Sequence, residues 1–361
     1  MPEQVAPDEP GHRGATVVDS GRHAPIGATV RPLMGTESGH TGGVQRSSTT
    51  ATTRVGVALL GVVLGVVLLA WGIAGCTTDD SAGVSASRAL DGPVNTSSAA
   101  SLDIADLRAA FNGDPVPLRF EVIDEISTDP DSFTQGLEFT PDGRLFESTG
   151  RYGRSALRRI DPASGATIDE TPVDPTWWAE GITLVEGDRV AGDRVAGDRP
   201  DELAMLTWRE GVVAFFDPDT LTERRRASYD GEGWGLCQLD DGILMMSNGT
   251  ADLTLRDPGT FAIIDQVTVT RSGNPLPGLN ELECAGGLVW ANVWPTDTIV
   301  AIDPSTGEVL AELDASGIFD RRASPGADVL NGIAMVPGTT DQMWLAGKLW
   351  PSSWVVRVQP A

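Results

Sequence analysis

The sequence predicts an all-β chain built around a five-bladed β-propeller, preceded by a disordered N-terminal region and one hydrophobic membrane or signal segment. Three observations lead there. A short signature recurs five times beyond residue 117, at steps of 45, 54, 46 and 51 residues, which is the length of a four-stranded blade. Helical apolar spacing is nearly absent, and only residues 103–111 hint at a short helix. A lone strand stands at each end of the repeats, at 118–123 and 354–358, without a hairpin partner nearby.

In chain order, residues 1–53 are Gly, Ser, Thr and Pro with scattered charges, a composition that reads as a disordered leader. Met34 is an alternative start that would shorten it. Residues 55–74 are twenty uncharged, Val- and Leu-rich positions preceded by Arg46 and Arg54. They are long enough to span a bilayer, with the N-terminus cytoplasmic. Ile73-Ala74-Gly75-Cys76 closes the 54–76 segment and resembles the lipobox of bacterial lipoproteins, in which Cys76 would carry the lipid. An uncleaved signal anchor is the other reading. Either way the remainder is expected outside the cytoplasm and anchored to the membrane, with residues 77–116 as a flexible linker and 117–361 as the catalytic domain.

Composition excludes several function classes. The net charge is −25, and residues 1–75 hold five Arg against five acids, so the whole excess lies beyond the hydrophobic segment. Such a surface repels phosphate backbones, so nucleic acid is not an expected partner. The three histidines, His12, His23 and His40, all precede residue 50. The folded part therefore cannot run Ser-His-Asp or Cys-His chemistry or hold zinc through His. Cys237 and Cys284 lie in apolar runs and read as buried core thiols, pairing in an oxidising compartment being the alternative.

The repeats begin at Gln135-Gly136-Leu137, Glu180-Gly181-Ile182, Trp234-Gly235-Leu236, Asn280-Glu281-Leu282 and Asn331-Gly332-Ile333. The long step holds a duplicated pentapeptide, Gly187-Asp188-Arg189-Val190-Ala191, as expected of an insertion in a hairpin loop. Asp161-Pro162, Asp217-Pro218, Asp257-Pro258 and Asp303-Pro304 each end a strand in a turn. The two lone strands are expected to share one blade and close the ring, which removes free edges.

In a propeller the first strand of each blade lines the axis, so the signature residues Gln135, Glu180, Trp234, Asn280 and Asn331 would form a ring at one mouth. The antiparallel second strands return Trp208, Asn248, Trp294 and Lys348 to that mouth. Lys348 is the only lysine among 26 basic side chains. An ammonium is a compact donor that fits beside a reacting oxygen, where a guanidinium is a wide fork. Glu180, flanked by Trp177, Trp178 and Trp208, would have its pKa raised by burial and could exchange protons near neutrality. Lys348 could neutralise it or donate to an oxyanion. The amides of Gln135 and Asn280 could orient an amide or amine, and the indoles would attract an ammonium.

The segments Ser132-Phe133-Thr134-Gln135-Gly136-Leu137, Ala179-Glu180-Gly181-Ile182, Gly233-Trp234-Gly235-Leu236, Leu279-Asn280-Glu281-Leu282, Val289-Trp290-Ala291-Asn292-Val293-Trp294, Val329-Leu330-Asn331-Gly332-Ile333 and Gly347-Lys348-Leu349-Trp350-Pro351 resemble, in order, the plant-type, metal-independent glutaminyl-peptide cyclotransferases. That resemblance implies conversion of an N-terminal Gln of a peptide or protein to pyroglutamate with release of ammonia. It implies Glu180 as general acid/base with Lys348 and Asn280 as catalytic partners. Phe133, Gln135, Trp178, Trp208, Trp234, Trp294 and Asn331 would bind substrate. No cofactor is expected, although a structural cation in the channel stays open, and the enzyme is expected to be a monomer. The chain departs from the family pattern at Trp178-Ala179 and at Ser247-Asn248-Gly249. Two other classes compete: a metal-dependent propeller lactonase using Glu180, Asn280 and Asn331, and a non-enzymatic surface binding protein.

Overall fold

The structure, a computed structural model, describes residues 102–187 and 199–361, and between them the backbone of Arg189–Val190 and Asp193–Arg194. The leader, the hydrophobic segment, Cys76 and most of the duplicated pentapeptides lie outside the described residues. Among those that are described, no helix is long and apolar enough to cross a membrane.

Helix α1 (Ile104–Ala110) comes first, capped by Asp103, whose carboxylate accepts the Asp106 N–H at 2.9 Å. Residues from 102 onward do not behave as the tether expected there. Leu102 and Leu107 are buried in one cluster with Trp290, and Arg108 Nε pairs with Asp303 at 2.6 Å. Two leucines spaced to face a sheet, followed by an Arg that reaches a turn carboxylate, are enough to dock about two turns of helix.

The strands then run in antiparallel meanders. β1 (Val116–Ser127) is followed by β2 (Thr134–Phe139), β3 (Leu145–Thr149), β4 (Ala156–Ile160) and β5 (Thr167–Pro172), which pair in that order as one sheet. The next sheet orders β6 (Ala179–Val185), β9 (Glu202–Thr207), β10 (Val212–Phe216) and β11 (Glu223–Ser228), with the short hairpin β7 (Arg189–Val190) and β8 (Asp193–Arg194) inserted after β6. A third comprises β12 (Leu236–Gln238), β13 (Leu244–Met246), β14 (Asp252–Arg256) and β15 (Ile263–Thr268), followed by the hairpin β16 (Thr270–Arg271) and β17 (Asn274–Pro275). Then come β18 (Leu279–Ala285), β19 (Leu288–Val293), β20 (Thr298–Ile302) and β21 (Val309–Asp314), and finally β22 (Leu330–Met335), β23 (Gln342–Gly347) and β24 (Ser352–Pro360).

This all-β, propeller-like arrangement closes as the two end strands foretold. β1 pairs antiparallel with β24, from Leu118 opposite Pro360 to Ser127 opposite Ser352, and takes the outer place beside β22–β23–β24. Its start also pairs in parallel with β21. The Asp-Pro turns lie between third and fourth strands, where Asp217 and Asp257 each accept two backbone N–H groups in Asx turns. The first strands of the sheets touch in a closed circuit, β2–β6–β12–β18–β22–β2.

That circuit explains the glycine after each signature residue. A Cβ on Gly136 would stand 2.5 Å from Ile182 N, one on Gly181 2.7 Å from Gly235 Cα, and one on Gly235 2.1 Å from Asn280 O. The neighbouring strands leave no room for a side chain. The fourth signature breaks the rule with Glu281. Its buried carboxylate reaches across the axis and accepts Ile333 N–H at 2.9 Å and Leu137 N–H at 3.3 Å.

Cys237 and Cys284 are not free core thiols. They form a disulfide with Cα atoms 5.4 Å apart, and so tie β12 to β18. Their apolar runs are real, but both side chains face the gap between adjacent axial strands, where they meet. Two outcomes follow. Closing a loop with a sequence separation of 47 residues is worth about 4 kcal/mol of chain entropy, so reductant or the paired Cys237→Ser/Cys284→Ser change should lower the melting temperature by several degrees. Gly235→Ala should cost about 2–4 kcal/mol, read from the urea midpoint.

Candidate active site

The first strands all begin at one mouth, and the second strands end there. Gln135, Glu180, Asn280 and Asn331 are each the second residue of their strand, and all four are buried. Trp208, Trp294 and Lys348 each follow directly on a second strand. Serines at second-strand ends hold the axial strands in place. Ser148 Oγ donates to Glu180 O at 2.5 Å, and Ser247 Oγ donates to Asn280 O at 2.6 Å.

Three amide and acid side chains form a relay. Asn331 Nδ2 donates to Gln135 Oε1 at 3.3 Å and to Thr134 O at 3.1 Å. Gln135 Nε2 donates to Glu180 Oε1 at 3.0 Å, and Oε2 of Glu180 has no hydrogen bond among the described residues. The Gln135 amide and Asn331 Nδ2 are thus engaged inside the protein, holding the carboxylate. Asn280 Oδ1 and Asn331 Oδ1 are both buried with no hydrogen-bond partner among the described residues. Asn248 is taken up locally, accepting both groups of Thr250 in an Asx turn.

Lys348 is buried at the turn between β23 and β24. The Trp350 ring fills the space beside Gly347, whose Cβ would meet it at 2.1 Å, and Trp350 Nε1 donates to Asp328 O at 2.8 Å. Leu349 takes a left-handed φ of 61° and donates its N–H to Ser132 O at 2.7 Å. The Gly-Lys-Leu-Trp-Pro motif therefore serves to aim one side chain. The Lys348 Nζ lies 5.2 Å from the centre of the Phe133 ring and makes no hydrogen bond or ion pair among the described residues.

The wall is a continuous aromatic arc. Phe133 meets Trp178 edge-on at 5.7 Å, Trp178 meets Trp208 at 5.7 Å, and Trp234 meets Trp294 edge-on at 6.0 Å. Glu232 joins its halves, accepting Trp208 Nε1 at 2.9 Å, Trp234 Nε1 at 3.1 Å and Arg209 Nε at 2.9 Å. No sequence signal marked Glu232, which sits in a Gly-flanked loop two residues before a signature. Trp177, by contrast, turns away from Glu180. It packs with Phe146, Leu157 and Phe216 between sheets, because consecutive residues of an extended chain face opposite sides. Trp178 Nε1 is buried and unpartnered beside Gly150.

Burial pushes the Glu180 carboxyl well above its ordinary range; Lys348 pulls it down, while Glu232 and Glu210 push it further up. Burial lowers the Lys348 ammonium, opposed by Glu180 and Asp328. The two groups therefore sense one another without forming a contact pair. Such a couple, one acid biased toward its protonated form and one cation held apart from it, can exchange a proton and stabilise negative charge in the same cavity. At the other end of the axial strands lies a cavity of about 790 Å³ lined by Glu138, Glu283 and the disulfide, away from this constellation. Among the described residues, no group of three or more His, Cys, Asp or Glu could hold a metal ion.

Comparison with known proteins returns one family. The model described as glutamine cyclotransferase matches residues 96–358. A curated glutaminyl-peptide cyclotransferase of Arabidopsis thaliana is 34% identical over 245 residues, covering 67% of this chain and 72% of the relative. The crystal structure of Myxococcus xanthus glutaminyl cyclase is 35% identical and covers 69% of this chain and all of its own, with a TM-score of 0.59.

The buried acids set a pH dependence of stability. Burial raises the carboxyls of Glu180 and Glu281 well above their ordinary range, and that of Glu283 to about 8. The unfolded chain releases those protons near pH 4.3. Above that pH the folded form binds more protons, so stability falls as pH rises toward 8. The melting temperature should drop between pH 5 and pH 8, and Glu283→Gln should flatten the drop.

Proposed function

The chain belongs to the glutamine cyclotransferase family, and on that premise we propose that it is a glutaminyl-peptide cyclotransferase, cyclising the N-terminal Gln of peptides or proteins to pyroglutamate with release of ammonia. The observation that carries the reading is the buried Glu180, hydrogen-bonded by Gln135 and electrostatically coupled to the unpaired ammonium of Lys348 inside one aromatic-walled mouth. We read the meanders as five blades, closed by β1 on β24. The extracytoplasmic placement, the membrane anchor and lipidation at Cys76 remain proposals resting on residues 54–76.

The chemistry follows from positions. The aromatic arc takes the aliphatic stem of the glutamine and folds it so that the free α-amine faces the γ-carbonyl carbon. Asn280 Oδ1, buried without a donor of its own, accepts an N–H of the substrate. As the new C–N bond forms, the carbonyl oxygen gains negative charge, which Lys348 stabilises. Glu180 Oε2 takes one proton from the attacking nitrogen and returns it to the γ-nitrogen. The old C–N bond breaks and NH₃ leaves, so hydrogens balance with no co-reactant. Gln135 and Asn331 act as positioning residues that keep Oε1 of Glu180 occupied and Oε2 free.

Glu180→Gln should lower kcat on a Gln-initiated peptide by at least about a thousandfold, measured as ammonia release, with little change in melting temperature. Full activity in that variant would remove Glu180 from the reaction. Lys348→Met should lower kcat more than it raises KM, because its charge is used as the oxyanion develops.

A further inference from the structure

Arg151 and Arg209 occupy equivalent places, the second residue after β3 and after β9, and each lies over a ring of the aromatic arc. The Arg151 Cζ is 4.9 Å from the centre of the Phe133 ring, and the Arg209 Cζ is 3.6 Å from that of Trp208. They differ in one respect. Arg209 is paired with Glu232 at 2.9 Å, while the Arg151 guanidinium makes no hydrogen bond and no ion pair among the described residues. It is half-buried, in a chain with a net charge of −25. Acidic partners are plentiful on such a surface, so an unspent guanidinium there is informative.

Its setting is fixed. Ser155 Oγ accepts the Arg151 N–H and donates to the Arg151 carbonyl, both at 2.9 Å, and it also accepts the N–H of Ala179, the residue before Glu180. The next residue, Tyr152, packs edge-on against Trp178 at 5.3 Å and donates to Glu210 Oε1 at 2.9 Å. Glu210 Oε2 in turn accepts Trp178 N–H at 3.3 Å. Arg151 and the catalytic Lys348 thus share one ring, Phe133, at 4.9 Å and 5.2 Å. Lys348 faces the buried mouth, and Arg151 stands on its rim.

We propose that Arg151 is a specificity-determining residue that binds a carboxylate on the peptide just beyond the glutamine, favouring Gln-initiated substrates with an acidic second residue. This deepens the proposed activity and rests on it. With glutamine folded against Glu180, the following residue lies about 3.5 Å further out along an extended chain, at the level of the rim. A guanidinium presents a planar fork that matches a carboxylate in two parallel hydrogen bonds. The stack on Phe133 holds that plane in place and reduces the side-chain freedom lost on binding. The overall acidic field repels such a peptide, so the preference must come from this one local cation.

The test compares kcat/KM for Gln-Glu-Ala-amide with that for Gln-Gln-Ala-amide, in low salt, for wild type, Arg151→Gln and Arg151→Lys. Dipeptide Gln-Ala as free acid and as amide separates a side-chain carboxylate from a terminal one. Wild type should prefer the acidic peptide by about tenfold, the scale of one charge-assisted pair. Arg151→Gln should bring the ratio to one or below, through KM, and Arg151→Lys should keep part of it. A merely structural role would lower both peptides alike and leave the ratio intact. A preference seen only for the free-acid dipeptide would support the subsite with the terminal carboxylate as its ligand. A wild-type ratio of one, or a ratio unmoved in Arg151→Gln, overturns the subsite alone. A wild-type protein inert on every peptide overturns the cyclotransferase reading, and the subsite with it.

Discussion

The close approach of the axial strands governs everything else in this protein. Gly136, Gly181 and Gly235 have no side chain because the backbone of the next strand occupies the space where a Cβ would be. Packed that tightly, the starts of β2, β6 and β12 hold the residue before each glycine in place. The residue before a forced glycine is then a fixed point, and Gln135, Glu180 and Trp234 inherit their precision from it. Where the pattern yields to Glu281, a buried carboxylate spans the remaining gap and binds the backbone of both β2 and β22. There the ring is tied by a side chain that binds main chain on two strands at once.

A site built this way has its acid and its cation on elements that do not move independently. Glu180 is held through Gln135 and Asn331, and through its own carbonyl by Ser148. Lys348 is held by the turn that Trp350 packs against Gly347. Neither group is neutralised by direct contact with the other. Burial costs both of them ionisation, and a substrate bearing a polarised amide is what each can answer. Glu232 adds a separate constraint, since one carboxylate fixes the planes of two indoles and an arginine.

Much of this was legible in the sequence because the fold is a repeat. Once Glu180-Gly181 and Asn331-Gly332 stood at equivalent positions, the alternation of strand directions placed Lys348 and the indoles of Trp208 and Trp294 at the same mouth. What could not be read was anything decided between repeats rather than within one. The Cys237–Cys284 bridge joins two strands whose spacing becomes known only when the sheets are packed. Glu232 acts on Trp208, which belongs to another sheet's return strand. Trp177 and Trp178 look interchangeable as letters, yet one faces the core and the other the mouth, a parity set by where β6 begins. Gln135 and Asn331 were foreseen at the site but as ligand contacts. That Asn331 Nδ2 donates to Gln135 Oε1 depends on a distance between the first and last meanders.

The pairing of β1 with β24 also bears on how the chain comes to be folded. The strand that completes the outermost layer of the last sheet precedes the other strands of the ring in the chain, and its partner follows them as the chain is made. Until then β1 presents an unsatisfied edge, with Val122 and Ile123 exposed even in the finished protein. Ring closure therefore waits until every strand between them has been made, and β1 must be kept from other partners over that interval. The same pairing leaves the first and last strands of the ring side by side, so that joining them by a short loop and opening the ring at another would ask little of the architecture.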